Sequence, residues 1–211
     1  MAAASMVSAQ RSSGSRLCRW LLPQARATVE QLHGAGITHV VMLTGDNRVT
    51  ADAIARELGI DLVAGSISEL AEGEARLRNT SLHIGPDGDI KAVYRKIHMF
   101  DVVVDGTEYR ESADERPGDE VVTSTTADGV EVGLSICYDL RFPELYRAMG
   151  EVDMIVVPSA FTETTGKAHW DTLVRARAIE NLAYVIAPAQ GGYHVNGRET
   201  HGHTMIVDPW G

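Results

Sequence analysis

Cysteine is almost absent: Cys18 and Cys137 are the two in 211 residues. Two thiols cannot build a disulfide framework, and no CxxC or clustered Cys/His spacing offers structural zinc. That points to a reducing, cytoplasmic setting. Basic residues are also few, 19 Lys and Arg against 29 Asp and Glu, for a net charge of −10. Phosphate binding draws on clustered Lys and Arg, so nucleic acid and anionic lipid are disfavoured as partners. No apolar run approaches the roughly 18 residues that a spanning helix needs, which argues against a membrane partner. Internal repeats and low-complexity tracts are missing as well. What is present is 44% hydrophobic side chains, enough for a real core. Small molecules or protein are the expected partners.

Residues 1–29 hold Arg11, Arg16, Arg19 and Arg26, several serines and no acid. This resembles an organelle-targeting composition, with a mitochondrial address as the alternative to the cytoplasm. Ala2 to Ser8 also reads as a first core strand, and that reading is preferred. Gln24 to His33 predicts a short helix and Thr38 to Leu43 a short strand. Asp46 or Asn47 caps the helix that follows, and Gly59 ends it. Leu62 to Ser68 opens a new strand system. Residues 79–100 predict a hairpin, because Pro86-Asp87-Gly88-Asp89 separates two alternating runs. Asp105 to Asp119 is polar and rich in turn formers and reads as a loop.

"VEVGLSIC" then alternates, with Val130, Val132, Leu134 and Ile136 on one face and Cys137 in phase with Gly133 and Ser135. Pro143 suits the first turn of a helix and Gly150 its end. "DMIVVPSAF" predicts a buried strand. Ala168 to Leu182 predicts a helix with Trp170, Leu173, Val174, Ala178 and Leu182 at helical spacing, and "AYVIAPA" and "HTMIVDPWG" predict further strands. The whole is α/β with adjacent antiparallel strands.

A lone cysteine is most often an inert, buried small side chain. Cys137 stands elsewhere, where an apolar strand turns into a helix. Unpaired N–H groups there stabilise thiolate over thiol and leave a backbone donor for an oxyanion. That arrangement suits acyl transfer.

Five stretches carry a family resemblance: "YRKIHMFD" (Tyr94 to Asp101), "GLSICYDLRFPELYR" (Gly133 to Arg147), "PSAF" (Pro158 to Phe161), "AHWDTLVRARAIEN" (Ala168 to Asn181) and "HGHTMIVDPWG" (His201 to Gly211). In order and spacing they resemble the nitrilase, or carbon–nitrogen hydrolase, superfamily, in the amidase branch that includes deaminated-glutathione and ω-amidases. The resemblance implies a four-layer α-β-β-α sandwich over residues 62–211, incomplete at its C-terminal end, because the family continues past "DPWG". It implies a Cys-Lys-Glu site needing no cofactor or metal. Cys137 matches the nucleophile. Lys96, in "YRK", matches the lysine that holds the oxyanion with the backbone N–H of Tyr138. Glu111, in "YRES", matches the glutamate that orients the lysine, with Glu108 the alternative. His169 and Trp170 match a helix start near the substrate pocket and the dimer interface, with a core-facing Trp and exposed His equally open. The implied activity is hydrolysis of a small linear amide through a cysteine thioester with release of ammonia, in a homodimer or higher homo-oligomer.

One part of the family pattern is missing. Its general base is a glutamate after an early strand, where this chain reads Thr44-Gly45-Asp46-Asn47. Asp46 is the possible substitute base, one methylene shorter. Asp46, Glu69 and Glu111 are the carboxylates to check for reach to the Cys137 sulfur. Val40 to Asp61 instead resembles a piece of a P-type ATPase phosphorylation domain with its "TGDN". No aspartyl nucleophile or magnesium ligands of that haloacid-dehalogenase class accompany it, and a capped strand-to-helix turn is the preferred reading. The expected organisation is an N-terminal segment over 1–24, a helix-strand-helix piece over 25–61, and the hydrolase domain over 62–211. A catalytically impaired fragment or pseudoenzyme of the same fold is one alternative, and a phosphohydrolase fragment the other. His201 and His203 read as a polar strand face, and Asp139, Arg141 and Glu144 as a structural ion network behind the nucleophile.

Overall fold

The computed structural model describes residues 25–35, 41–44, 48–70, 73–195 and 197–211. The possible first strand at Ala2 to Ser8, Cys18, and the possible base Asp46 lie outside the described residues. A helix, α1, covers 25–34, and strand β1 (Val41–Thr44) leads to α2 (Arg48–Leu58). Gly59, at φ +64°, ends α2 as expected.

The first sheet has the order β1-β2-β3-β4, with β2 Asp61–Glu69, β3 Arg78–Ile84 and β4 Ile90–Arg95. β1 runs parallel to β2, while β2, β3 and β4 form an antiparallel meander. The predicted hairpin is β3–β4. Ala51, Ile54 and Ala55 recur at helical spacing on α2 and pack on Leu62, Ala64, Leu82 and Ile84 of this sheet. Arg26 of α1 reaches across to Glu57 of α2 at 3.3 Å.

The second sheet has the order β13-β10-β9-β8-β7. Its strands are β7 Thr123–Thr125, β8 Glu131–Leu134, β9 Met154–Val156, β10 Tyr184–Ala187 and β13 Met205–Val207. β8, β9 and β10 are parallel, and the crossovers between them carry α4 (Pro143–Ala148) and α5 (Glu163–Asn181). Trp170, Val174 and Ala178, four residues apart along α5, are buried against Val132, Leu134, Ile155 and Val185. Val63 and Tyr94 of the first sheet join the same core from the other side. Helices, sheet, sheet and helices therefore make four layers, as the sequence resemblance implies. His83 ties the sheets together: buried, it pairs with Asp61 Oδ1 at 3.0 Å and with Ser124 Oγ at 2.7 Å.

Four local readings are corrected. Residues 105–119 are not a plain loop. β5 (Asp101–Val104) and β6 (Thr107–Arg110) form a hairpin, and α3 (Glu111–Asp114) follows it. Asp105 and Gly106, both at positive φ, are the two-residue turn that such a hairpin needs. α5 begins at Glu163, five residues before the predicted start at Ala168, because the Thr162 hydroxyl accepts from Thr165 N (3.3 Å) and caps it. Gly166 lies inside the helix, where an added Cβ would sit 2.2 Å from His201 Cβ. Leu182 is not on the core stripe. It is the left-handed C-cap and is 78% exposed. Two short strands, β11 (Gly191–Tyr193) and β12 (Glu199–His201), went unpredicted; glycine and polar residues hide their period. His201 and His203 do not share a strand face: they stack at 4.2 Å across Gly202.

At the open end of the first sheet, Glu69 accepts from Arg95 Nε and Nη2 (both 2.8 Å) and from Thr80 Oγ1 (2.7 Å). The Arg95 hydrogen bonds hold its carboxyl at about 2, against an ordinary 4.5. A carboxyl lowered on folding contributes stability above the unfolded value and loses it as pH falls toward the folded one. Glu69→Gln is expected to lower the urea-unfolding free energy by about 1 kcal/mol at pH 7, water screening the pair. The gap to the wild type should shrink by about half or more at pH 3. Unfolding curves of both proteins at the two pH values check this.

Candidate active site

β8 delivers Cys137 to the centre of the molecule. Ile136 is still extended, at φ −137° and ψ 119°, and the next residue, Cys137, turns to φ +51° to open a 3-10 helix (Cys137–Arg141). A non-glycine residue in the left-handed region is sterically costly and persists only when its surroundings fix it. Here they do. Cys137 N donates to Pro158 O (2.9 Å) at the exit of β9, and Ser135 Oγ donates to Val156 O (2.9 Å).

Asp139, fully buried, holds the turn from inside. Its Oδ2 accepts from Ile136 N (2.9 Å) and Tyr94 Oη (2.6 Å), and its Oδ1 from His98 N (3.0 Å) and His98 Nδ1 (2.8 Å). Burial, and then the Asp139 charge, push the Tyr94 hydroxyl far above its usual range, so it stays a donor. Arg177 of α5 donates to Leu140 O (3.0 Å) and completes the support. Of the ion network expected behind the nucleophile, Asp139 is the structural member. Arg141 stands over the Tyr138 and Phe161 rings, and Glu144 is exposed.

Lys96 follows β4 and is 2% exposed in its side chain. Both Glu111 oxygens meet its ammonium, at 2.6 and 2.5 Å, and Glu111 Oε2 also accepts from Phe100 N (2.6 Å). That clamp leaves the ammonium's remaining donor capacity pointing elsewhere. Glu108, the alternative orienter, pairs instead with Arg110 at 3.2 Å and is exposed.

Cys137, Tyr138, Lys96, Glu111 and Glu108 line one cavity of about 680 Å³. Phe100 and Tyr138, in edge contact at 5.1 Å, form an aromatic wall. Tyr138 N–H is among the first amides of the 3-10 turn, which have no partner inside the turn. A fixed cation and a backbone N–H on the same cavity as a thiol are what an acyl oxyanion needs. His169 and Trp170 do not line the cavity. Trp170 is a core residue, T-shaped on Phe161 and donating to His203 O (2.7 Å), while exposed His169 meets Arg141 at 3.2 Å. Glu69, another candidate, is taken up by Arg95 and lies outside the lining.

Sequence reasoning missed Glu115. It lines the cavity, and its Oε2 is buried without a hydrogen-bond partner among the described residues. The signal was legible: Glu111 and Glu115 stand four apart in "ESADE", which places both on one face of a helical turn. Among the described residues no group of three or more His, Cys, Asp and Glu is gathered as a metal site, and no helix is long and apolar enough to cross a membrane.

A four-layer sandwich that presents a cysteine at a strained strand-to-helix turn, on the same cavity as a glutamate-clamped lysine, has the features of a nitrilase-fold protein. The chain belongs to the carbon-nitrogen hydrolase family, whose pattern matches residues 38–211. A deaminated glutathione amidase of Synechocystis is 48% identical over 163 residues, 75% of this chain and 60% of that protein. One of Mus musculus is 38% identical over 200 residues, 92% of this chain and 62% of that protein. The chain thus spans about three-fifths of these relatives. Among solved structures, the Caenorhabditis elegans NitFhit protein superposes with TM-score 0.77 at 34% identity, covering 95% of this chain and 54% of that one. A Saccharomyces cerevisiae member of branch 10 of the nitrilase superfamily gives 0.71 at 27% identity, covering 92% and 78%.

Proposed function

We propose that the chain hydrolyses the C–N bond of a small linear amide through a thioester on Cys137. The observation that carries this reading is the shared cavity: Cys137, Lys96 and Glu111 line it together, with the lysine clamped at 2.6 and 2.5 Å. Cys137 sulfur attacks the amide carbon, and Lys96 with the Tyr138 N–H holds the oxyanion. The nitrogen departs as ammonia from a primary amide or as an amine from a secondary one. Water then cleaves the thioester to the carboxylic acid and restores the thiol. The names of the relatives support an amide of the deaminated-glutathione type, and ω-amides of 2-oxo acids are the simpler members of that class. The same reading keeps the cytoplasmic setting and the homo-oligomer implied by the family resemblance.

The test is release of ammonia or amine from these two substrates, with acid-quenched intact mass to catch the acyl adduct. Lys96→Gln removes one oxyanion donor and its charge, and should lower kcat by about 10²–10³-fold with the substrate still bound. A kcat equal to that of the wild type would remove the lysine from the mechanism. The second reading, a pseudoenzyme that keeps the pocket, is favoured by the missing glutamate at Thr44 to Asn47. It predicts stoichiometric alkylation of Cys137 with no adduct from either amide.

A further inference from the structure

The thioester route moves protons four times, and the strand-end glutamate that the family uses is missing from this sequence. Three carboxylates among the described residues line the cavity: Glu108, Glu111 and Glu115. Glu111 holds Lys96, accepts from Phe100 N and also meets the Glu115 carboxyl in a side-chain hydrogen bond. Glu108 is exposed and paired with Arg110. Glu115 differs. It is the C-cap of α3, held by its own N–H to Glu111 O (2.9 Å) and by a bridge to Leu77. Its backbone is therefore anchored on two sides, while its buried Oε2 accepts nothing. A buried carboxyl oxygen without a donor is unfavourable unless a bound group or a proton completes it.

We infer that Glu115 is the proton-transfer carboxylate of this cavity, an inference that rests on the amidase reading above. Glu115 takes the thiol proton of Cys137 as the C–S bond forms and the carbonyl electron pair moves onto oxygen. The oxyanion pair then re-forms C=O, the C–N bond breaks, and Glu115 gives its proton to the departing nitrogen. In the second half Glu115 takes a proton from water as the water oxygen bonds to the thioester carbon. The C–S bond breaks, the same proton returns to sulfur, and the acid leaves. Substrate and water enter; acid and amine depart, with thiol and carboxylate restored.

The surroundings suit this work. Burial first, and then the charge of Glu111, push the Glu115 carboxyl up to about 7, with Lys96 and the Asn79 amide acting the other way. Asn79 comes from β3, its Oδ1 already accepting from Ser66 Oγ (2.7 Å). A proton carrier works best when its affinity lies near the working pH, because it then both holds and releases the proton readily. The charged groups acting on it are thus Glu111 from α3 and Lys96 from the end of β4.

The experiment compares wild type, Glu115→Gln and Glu115→Asp from pH 5.5 to 9. Glu115→Gln should keep KM within about twofold and lose kcat by about 10²–10³-fold, and the ionisation near neutrality should vanish from its profile. Glu115→Asp should keep that ionisation with reduced kcat. A Gln variant with wild-type kcat and an unchanged profile overturns the inference, as does a loss confined to KM. If the wild type turns over neither amide, the amidase reading fails, and Glu115 is judged on iodoacetamide alkylation of Cys137. Slower labelling in the Gln variant, with the neutral inflection gone, supports proton transfer from the thiol; identical labelling curves overturn it. If the Gln variant does not fold, carboxyl ¹³C titration of the wild type decides: a Glu115 signal that titrates at an ordinary glutamate value ends the proposal.

Discussion

Cys137→Ala is expected to keep the amide bound and to lose turnover by about 10⁴-fold or more, the scale on which removal of a covalent nucleophile acts. The argument is one of atoms rather than of environment. Alanine leaves the Lys96–Glu111 clamp (2.6 and 2.5 Å) and the cavity walls where they are, so ground-state contacts survive. What disappears is the sulfur that splits one hard displacement into two easier ones. The fold should tolerate the change, since alanine also takes up a position at φ +51° with a single Cβ. Three readouts on one preparation settle it: steady-state ammonia or amine release, the acyl adduct by intact mass, and substrate affinity by calorimetry. Rates equal to the wild type would end the cysteine mechanism. Lost affinity along with lost rate would show that the pocket had collapsed instead.

Asp139→Ala should be the most damaging change to stability, about 3–5 kcal/mol, because it strips a buried charge from its donors. Four hydrogen bonds of 2.6–3.0 Å end on this one carboxylate, from Ile136 N, Tyr94 Oη, His98 N and His98 Nδ1. Those donors sit on the strand end, on β4 and on the segment after it, so their common acceptor ties the nucleophile turn to the first sheet. Left unpaired in a dry interior, each costs about 1–3 kcal/mol before the cavity is counted. For a chain of this size the melting temperature should fall by about 10 °C. Asp139→Asn, with one acceptor oxygen in place of two, should fall between. Urea-unfolding midpoints of the three proteins measure the series, and a shift below about 1 kcal/mol for alanine would show that water takes over the donors. Activity should fall with stability, because the same carboxylate anchors the backbone N–H of Ile136 immediately before the cysteine.

Much of this was legible in the sequence, and the rest failed for identifiable reasons. Cys137, Lys96 and Glu111 were singled out because the family resemblance rests on ordered motifs that contain them, and the structure brings all three to one cavity. The sandwich was expected because the family resemblance implies it, while the alternation of β8 by itself pointed only to an α/β chain. Residues 105–119 misled because Asp and Gly mark both loops and tight hairpins, and only pairing distinguishes them. The apolar spacing that marks α5 begins only at Trp170, so its polar first turn and the Thr162 cap fell outside the predicted span. His169 and Trp170 misled because a helix near a pocket has two faces, and the indole went to the core. Glu115 was passed over because it lay inside the supposed loop. Its spacing from Glu111 is readable, but the burial of its Oε2 is not.

The left-handed turn at Cys137 has a consequence for how this chain can change. Glycine is the residue such a backbone prefers, by about 1 kcal/mol over a strained side chain. Foldability and reactivity therefore pull position 137 in opposite directions. Any route that hardens the protein by relaxing its elbow ends in a sturdier molecule with an inert pocket, so robustness has to be gained in the outer layers, away from the sulfur.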